Sequence, residues 1–132
     1  MTTPYQLTTL LFGPGDVVPG SHMTDEEALA YARKEFAHMA FCLVRDWIWV
    51  DLDVSEDQRL RLAQTQRQPA LVYAHSVIYD SSRRWDVGDF VRTSLLSQFS
   101  DGFLFITLNS VYLLLGPGIR KQSSPEIVSS IF

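Results

Sequence analysis

The strongest constraint on the fold is the alternating pattern of residues 47–54, which is typical of a β-strand with two different faces. One face is aliphatic, and the other carries two indoles followed by two carboxylates: Trp47, Trp49, Asp51 and Asp53. Residues 70–79 alternate in the same way and predict a second long strand. The run 40–44 is apolar on both faces, which predicts a buried central strand that Arg45 and Asp46 break. The chain must therefore build a sheet.

Shorter apolar segments predict the rest of that sheet. The first is stopped by the Gly-Pro-Gly sequence at 13–15, and the last three lie close together and end at the Gly-Pro-Gly sequence at 116–118. Turn residues at 100–102 and 109–110 join the last three into an antiparallel meander. The four segments are 7–12, 90–99, 103–108 and 111–115.

Two helices are marked by capping boxes, in which a hydroxyl and a carboxylate or amide satisfy free N–H groups of the first turn. Thr24 with Glu27 predicts a helix that runs to about residue 38, and Ser55 with Gln58 predicts a second that ends before Pro69. A proline at 125 favours a short last helix.

The order of these elements shows no regular βαβ alternation. We therefore expect one α+β domain over residues 1–132, with a curved, mainly antiparallel sheet of about seven strands and two to three helices. A chain of 132 residues can bury enough surface to fold without a disulfide or a metal.

Composition excludes several classes of function. The net charge of −4 and the pI of about 5.2 argue against nucleic-acid binding. The longest apolar run, 39–44, is far shorter than the roughly 20 residues of a membrane-spanning helix. The N-terminal residues lack the pattern of a signal peptide, and Cys42 is the single cysteine. We expect a cytoplasmic protein that has no cofactor and no contact with a membrane.

The strip of Trp47, Trp49, Asp51 and Asp53 is the first candidate site. Two indoles beside two carboxylates would suit a cationic side chain, a sugar or an arginine-bearing partner. The structural alternative is that a helix covers the tryptophan end while the aspartate end emerges into solvent, since aromatic residues usually serve cores.

The second candidate site surrounds His75. This histidine could act as a general base, with Asp80 or Asp89 orienting it and with Arg84 and Arg92 holding an anion. The structural alternative is a histidine held by hydrogen bonds in a half-buried sheet, with the loop charges in solvent.

Other motifs in the chain carry no specific chemistry. Asp51 and Asp53 form the Asp-x-Asp pattern of aspartyl phosphatases, but the later lysine and acidic pair of such enzymes do not follow in a parallel-sheet context. Neither Gly-Pro-Gly sequence can cradle a phosphate, because proline offers no N–H group. No spacing of His, Asp and Glu predicts a metal site.

Several stretches resemble an uncharacterised family of short bacterial and prophage-associated proteins. They are FCLVRDW at 41–47, YAHxVxYD at 73–80, and the region from VRTS at 91–94 to LGPGxRK at 115–121. The resemblance extends over nearly the whole chain, and it implies a self-contained bacterial domain with no known activity. By analogy with small accessory proteins, it implies a role in inhibiting or modifying a host protein.

These observations favour a non-catalytic module that binds another protein through the tryptophan and aspartate strip. On that reading, Trp49→Ala weakens binding by about 2 kcal/mol or more if Trp49 is an anchor. The alternative is a small enzyme for an anionic or nucleotide-like substrate, with His75 as its base. An RNA-binding role through residues 83–90 is a third option, which the acidic pI disfavours. Exposed sheet edges are compatible with a homodimer.

Overall fold

A computed structural model describes residues 3–129 of the chain. Within that range the chain forms four helices and eight strands, and the strands build one mixed sheet that curls into a half-barrel. The α+β class is confirmed. The expectation of a mainly antiparallel sheet of about seven strands with two to three helices is wrong, because the sheet is mixed and the described residues form eight strands and four helices. The elements are α1 Pro4–Phe12, β1 Asp16–Val18, α2 Asp25–Glu35, β2 Ala40–Leu52, α3 Glu56–Gln64, β3 Ala70–Asp80, β4 Val91–Arg92, β5 Gln98–Ser100, β6 Leu104–Ile106, β7 Ser110–Leu114, β8 Gly118–Ser123 and α4 Pro125–Ser129.

Strand β2 is the centre of the sheet, because it pairs with three other strands. On one side it runs antiparallel to β3 along most of its length. On the other side it runs parallel to β7 as far as Val44, and parallel to β8 from Ile48 onwards. Strand β7 pairs with β6, and β6 pairs with β5. Strand β8 pairs with β1, and β3 pairs with β4. The neighbour of β2 therefore changes between Val44 and Ile48, and the sheet divides there.

The prediction of a strand over residues 7–12 is wrong, because those residues lie in helix α1. Thr3 Oγ1 accepts from the N–H of Gln6 at 3.2 Å, and the Gln6 side chain accepts from the N–H of Thr3 at 2.8 Å. Pro4 occupies the first turn, where its missing N–H costs nothing. This capping box, with Leu10 buried beneath it, outweighs the strand-like composition of the segment.

Strands β1 and β8, which pair with each other, are the strands that the sequence pattern missed. The Gly-Pro-Gly sequence at 116–118 is a turn rather than an end: Gly116 adopts a φ of 67°, and the chain then resumes beside β2. The predicted strand 90–99 is divided into β4 and β5, and the predicted segments 40–44 and 47–54 form the single strand β2.

Other local predictions are confirmed. Thr24 Oγ1 accepts from the N–H of Glu27 at 3.1 Å and begins α2, and Ser55 with Gln58 begins α3 in the same way. Helix α2 ends at Glu35, about three residues earlier than expected. The turns at 100–102 and 109–110 join antiparallel strands, and a short α4 follows Ser124.

The two faces of the sheet pack against different partners. Trp47 and Trp49 lie on one face, called here the tryptophan face, in a cluster with side chains of β3, β6 and β7. Ile48 lies on the other, called here the helix face, beneath α1 and α4. Helix α2 packs farther along the helix face, against Leu43. Among residues 3–129, no helix is long and apolar enough to span a membrane.

Candidate functional site

Both tryptophans of the predicted contact strip are buried, Trp47 at 1% and Trp49 at 5% exposure. The indole N–H of Trp47 donates to the carbonyl oxygens of Leu115 and Gly116, at 3.2 Å each. Its ring lies on Gly118, where an added Cβ would come within 2.2 Å of the ring. The curled sheet covers the indoles, rather than the helix that the structural alternative predicted.

The carboxylate end of the strip lies at the surface and is already paired. Asp51 accepts from the indole N–H of Trp49 at 3.0 Å and from Arg120 at 2.6 and 3.0 Å, and Asp53 accepts from the side-chain amide of Gln122. The bond to Asp51 raises the pKa of Arg120, whose guanidinium lies 4.8 Å from the centre of the Trp49 ring. The strip does not form one exposed surface, and its role in binding stays a prediction.

Asp80 does not orient His75. Asp80 lies opposite Cys42 in the β2–β3 register, on the tryptophan face, and its side chain is 0% exposed. Its carboxylate accepts from the backbone N–H, Nε and Nη2 of Arg84 at 2.6, 3.1 and 2.7 Å. This bonding raises the pKa of Arg84, which also donates to Ser110 Oγ at 2.5 Å. The sheet therefore separates this ion pair from His75, which lies on the helix face.

The remaining predicted partners of His75 are also engaged elsewhere. Asp89 is exposed, and its Oδ2 accepts from the backbone N–H of Asp86 at 2.9 Å. Arg92 lies opposite Tyr73 in the β3–β4 register and interacts with its phenol. Strands β3 and β4 pair, but the predicted catalytic set of His75, Asp80 and Asp89 with Arg84 and Arg92 is not assembled.

A cavity of about 310 Å³ opens on the helix face where the sheet divides. His75 forms part of its wall, and the imidazole lies between the rings of Phe12 and Phe90, with both centroids 5.4 Å away. The other wall residues come from α1, from β2 and from the start of β8: Leu11, Asp46, Trp47, Ile48, Pro117, Gly118 and Ile119. The cavity is therefore mostly apolar, with one imidazole and one carboxylate.

Asp46 and His75 lie at the same level of the two central strands, and both line the cavity. The pairs Arg45 with Ser76 and Trp47 with Ala74 place Asp46 opposite His75 in the antiparallel register. Asp46 adopts a φ of 54°, in the left-handed region that aspartate tolerates better than most residues. This conformation interrupts the alternation of β2 and exposes the carboxylate beside the cavity.

Within residues 3–129, neither the Asp46 carboxylate nor the imidazole nitrogens of His75 form a hydrogen bond or an ion pair. Nearby cations are taken by other carboxylates: Arg45 Nε donates to Asp25 at 2.7 Å, and Arg120 is held by Asp51. Both polar groups of the cavity are thus available to a ligand.

Helix α1 is held so that Phe12 closes one side of the cavity. Lys121 donates to the carbonyl oxygens of Thr9 and Leu10 in the last turn of α1, at 2.7 Å each. A cation is favourable at this end of a helix, and desolvation lowers the pKa of Lys121. Within residues 3–129, no group of three or more His, Cys, Asp or Glu could hold a metal ion.

Residues 19–130 match the profile of a family described as a domain of unknown function, DUF6957. The chain belongs to this family. The expected membership in an uncharacterised family is confirmed at that level. No curated protein and no solved structure matches the chain.

The DUF6957 match includes Asp46, His75 and Gly118, whereas Phe12 precedes it. Sequence reasoning identified His75 but gave it the wrong neighbours, and it treated Asp46 only as a break between strands. The available signal was the interruption of one long strand by a single acidic residue. Phe12 could not be found, because its segment was expected to be a strand.

Proposed function

We propose that this domain is a cytoplasmic, non-catalytic module that binds another protein. The contact surface is the α1–β1 face, defined here by the side chains of Tyr5, Phe12, Val17 and Ile119. Trp47 is buried and lines the cavity beside this surface, whereas the buried Trp49 packs on the other face of the sheet.

The observation that carries this proposal is the exposure of apolar side chains on neighbouring elements. Phe12 is 72% exposed and Val17 is 74% exposed. Val17 lies opposite Ile119 in the β1–β8 register, so the two side chains share a face, and Ile119 lines the cavity together with Phe12. Tyr5, which is 79% exposed, precedes Phe12 by two helical turns and lies on the same side of α1. Contiguous exposed apolar surface is a mark of interaction sites.

The experiment is capture of a binding protein from a lysate of the organism that encodes the chain, followed by calorimetry with the purified partner. Val17→Asp is expected to lower the affinity at least tenfold, because it places a charge within the contact surface. Val87→Asp is the matched control, since Val87 is equally exposed, at 75%, but lies in the loop before β4. Equal affinities for the two variants, or no stoichiometric partner, would contradict the proposal. Capture of a second copy of the chain would make the module a homodimer.

A second candidate is a small enzyme with His75 as its general base, because His75 lines a cavity with a carboxylate opposite. It is the weaker candidate, since among residues 3–129 no group fixes the tautomer of the imidazole and no arginine lines the cavity to hold an anion. A turnover in a metabolite screen that is abolished by His75→Gln would favour it over the interaction module.

The resemblance to prophage-associated proteins supports a finer version of the lead proposal. In that version the module is of bacterial or prophage origin, and the partner is a host protein whose activity it inhibits. The captured partner, assayed with and without the domain, tests this version directly.

A further inference from the structure

Asp46 differs from the other two aspartates of the central strands, Asp51 and Asp80, because its carboxylate has no partner within residues 3–129. The imidazole nitrogens of His75, on the neighbouring strand, have no partner there either. Asp80 is fully bonded to Arg84, Asp51 to Arg120 and Trp49, and Asp53 to Gln122. Asp46 is exposed and His75 is half-buried, so a ligand can reach both groups. The cavity therefore offers one carboxylate and one imidazole with free hydrogen-bonding capacity.

The residues that line the cavity favour a ligand with a long apolar stem and a positively charged end. The carboxylate of Asp46 is negative and can only accept hydrogen bonds. The surrounding walls are apolar, and the exposed face of the Phe12 ring can receive a cation. An anion would be repelled by Asp46, because the neighbouring cations Arg45 and Arg120 are bound to other carboxylates.

Arginine fits these walls better than lysine does. Its guanidinium is planar, donates in two directions and stacks on aromatic rings, whereas a lysine ammonium is a compact, strongly hydrated charge. Asp46 would then pair with the charge of the guanidinium, and a ring nitrogen of His75 would accept one of its N–H groups. A volume of about 310 Å³ is at the small end for a ligand pocket, which suits one side chain.

We propose that the cavity between α1, β2 and β8 receives an arginine side chain of the protein partner. This inference rests on the proposed function, because the cavity opens within the α1–β1 face and shares Phe12 and Ile119 with it. Asp46 pairs with the guanidinium, and the walls of the cavity contact the methylene groups. The arginine is the anchor of the interface, and the exposed apolar residues surround it.

The test uses N-acetyl-L-arginine amide as a probe, with amide chemical shifts of the labelled protein as the readout. We expect saturable shifts at Asp46, His75 and Gly118. N-acetyl-L-lysine amide is expected to bind at least threefold more weakly, and N-acetyl-L-norleucine amide, which lacks the charge, at least tenfold more weakly. Shifts that do not saturate, or equal binding of the arginine and norleucine amides, would overturn the proposal.

Two matched aspartate variants show whether the carboxylate carries the binding. Asp46→Asn is expected to weaken binding of the arginine amide at least tenfold, while Asp101→Asn leaves it unchanged. Asp101 is the appropriate control because it is also exposed and has nearly the same backbone conformation, with a φ of 56° against 54°. Asparagine tolerates this conformation as well as aspartate does, so both variants keep the fold. Unchanged binding by Asp46→Asn would overturn the assignment.

The same variants separate this inference from the proposed function. If a partner binds through Val17 but Asp46→Asn leaves its affinity unchanged, the arginine anchor is wrong and the interaction module stands. If no partner is found and the arginine amide still binds through Asp46, the interaction module is wrong and the inference about a protein partner fails with it. The cavity would then be a site for a small cationic molecule.

Discussion

Two aspartates on the central pair of strands are in opposite situations, although both lie at irregular points of the sheet. Asp80, at the end of β3, has a side chain with 0% exposure and accepts three hydrogen bonds from Arg84. Asp46, in the middle of β2, is exposed beside a cavity and has no side-chain partner within residues 3–129. The charge of Asp80 is neutralised by Arg84, and this ion pair stabilises the fold. Asp46 is open to solvent, where the proposed arginine would reach it.

The surroundings of Asp80 are buried, whereas those of Asp46 are more open. Near Asp80 burial raises the pKa of both Cys42 and Tyr112 to about 12, so neutral groups fill that end of the sheet. Near Asp46 the parallel ladder of β2 is interrupted, and α1 covers the gap only in part, since Phe12 remains exposed. The comparison predicts that loss of the Asp80–Arg84 pair lowers stability, whereas loss of the Asp46 charge lowers binding and leaves stability almost unchanged.

The largest expected effect is the protection of Cys42 beside Asp80. Because burial raises the pKa of this thiol to about 12, the reactive thiolate is favoured only at very alkaline pH. At pH 8 it is roughly 1,000-fold rarer than in an ordinary cysteine. Reaction with a thiol reagent in native buffer should be slower by at least that factor than in concentrated urea. Rapid reaction in native buffer would show that this end of the sheet is open.

The next largest effect is expected from breaking the Asp80–Arg84 ion pair, which lowers the free energy of unfolding. Arg84→Met leaves the buried carboxylate of Asp80 without its charged partner, which is expected to lower the free energy of unfolding by about 3 kcal/mol. Urea denaturation measures this loss. Arg61→Met is the control, because Arg61 is exposed on α3, and its effect should stay within about 0.5 kcal/mol. Similar values for both variants would mean that the Asp80–Arg84 pair does not stabilise the fold.

A methyl group at the division of the sheet should have an intermediate effect. In Gly118→Ala the new Cβ would lie 2.2 Å from the Trp47 ring, so the indole must shift and its bonds to Leu115 and Gly116 must lengthen. We expect a loss of about 2 kcal/mol of stability from this overpacking. An unchanged melting temperature would show that the Trp47 ring does not rest on Gly118.

The smallest expected effect on stability is that of Asp46→Asn. The side chain has no partner to lose and the backbone conformation suits asparagine, so the free energy of unfolding should change by less than about 0.5 kcal/mol. Thermal or urea denaturation beside the wild type measures this difference. A loss above about 2 kcal/mol would mean that Asp46 has a structural role like that of Asp80.

Much of the local structure is readable from sequence because it depends on neighbouring residues. The capping boxes at Thr24 and Ser55 and the long alternation of β3 each encode their element within a few positions. The helix α1 was missed because its signal lies in Thr3 and Pro4, before the segment that appeared strand-like. The α+β class follows from local patterns, whereas the direction of each strand pair does not.

The candidate site was only partly predictable because it depends on register. His75 was visible as a titratable residue in a strand, but its position opposite Asp46 follows from the pairing of β2 with β3. The burial of Trp47 and Trp49 depends on how far the sheet curls, which alternation does not encode. Asp80 and Arg84 appeared as loop charges in the sequence. Only the three-dimensional fold shows that they form an ion pair on the tryptophan face, with the carboxylate buried.

The most direct test of the contrast is urea unfolding of Asp46→Asn and Asp80→Asn, each with and without N-acetyl-L-arginine amide. We predict that Asp80→Asn loses about 2–3 kcal/mol and that Asp46→Asn loses almost nothing. At ten times the wild-type Kd the amide should stabilise the wild type and Asp80→Asn by about 1.4 kcal/mol, and Asp46→Asn by no more than about 0.4 kcal/mol. An Asp46→Asn variant that is destabilised as much as Asp80→Asn, or stabilised by the amide as much as the wild type, would contradict the account.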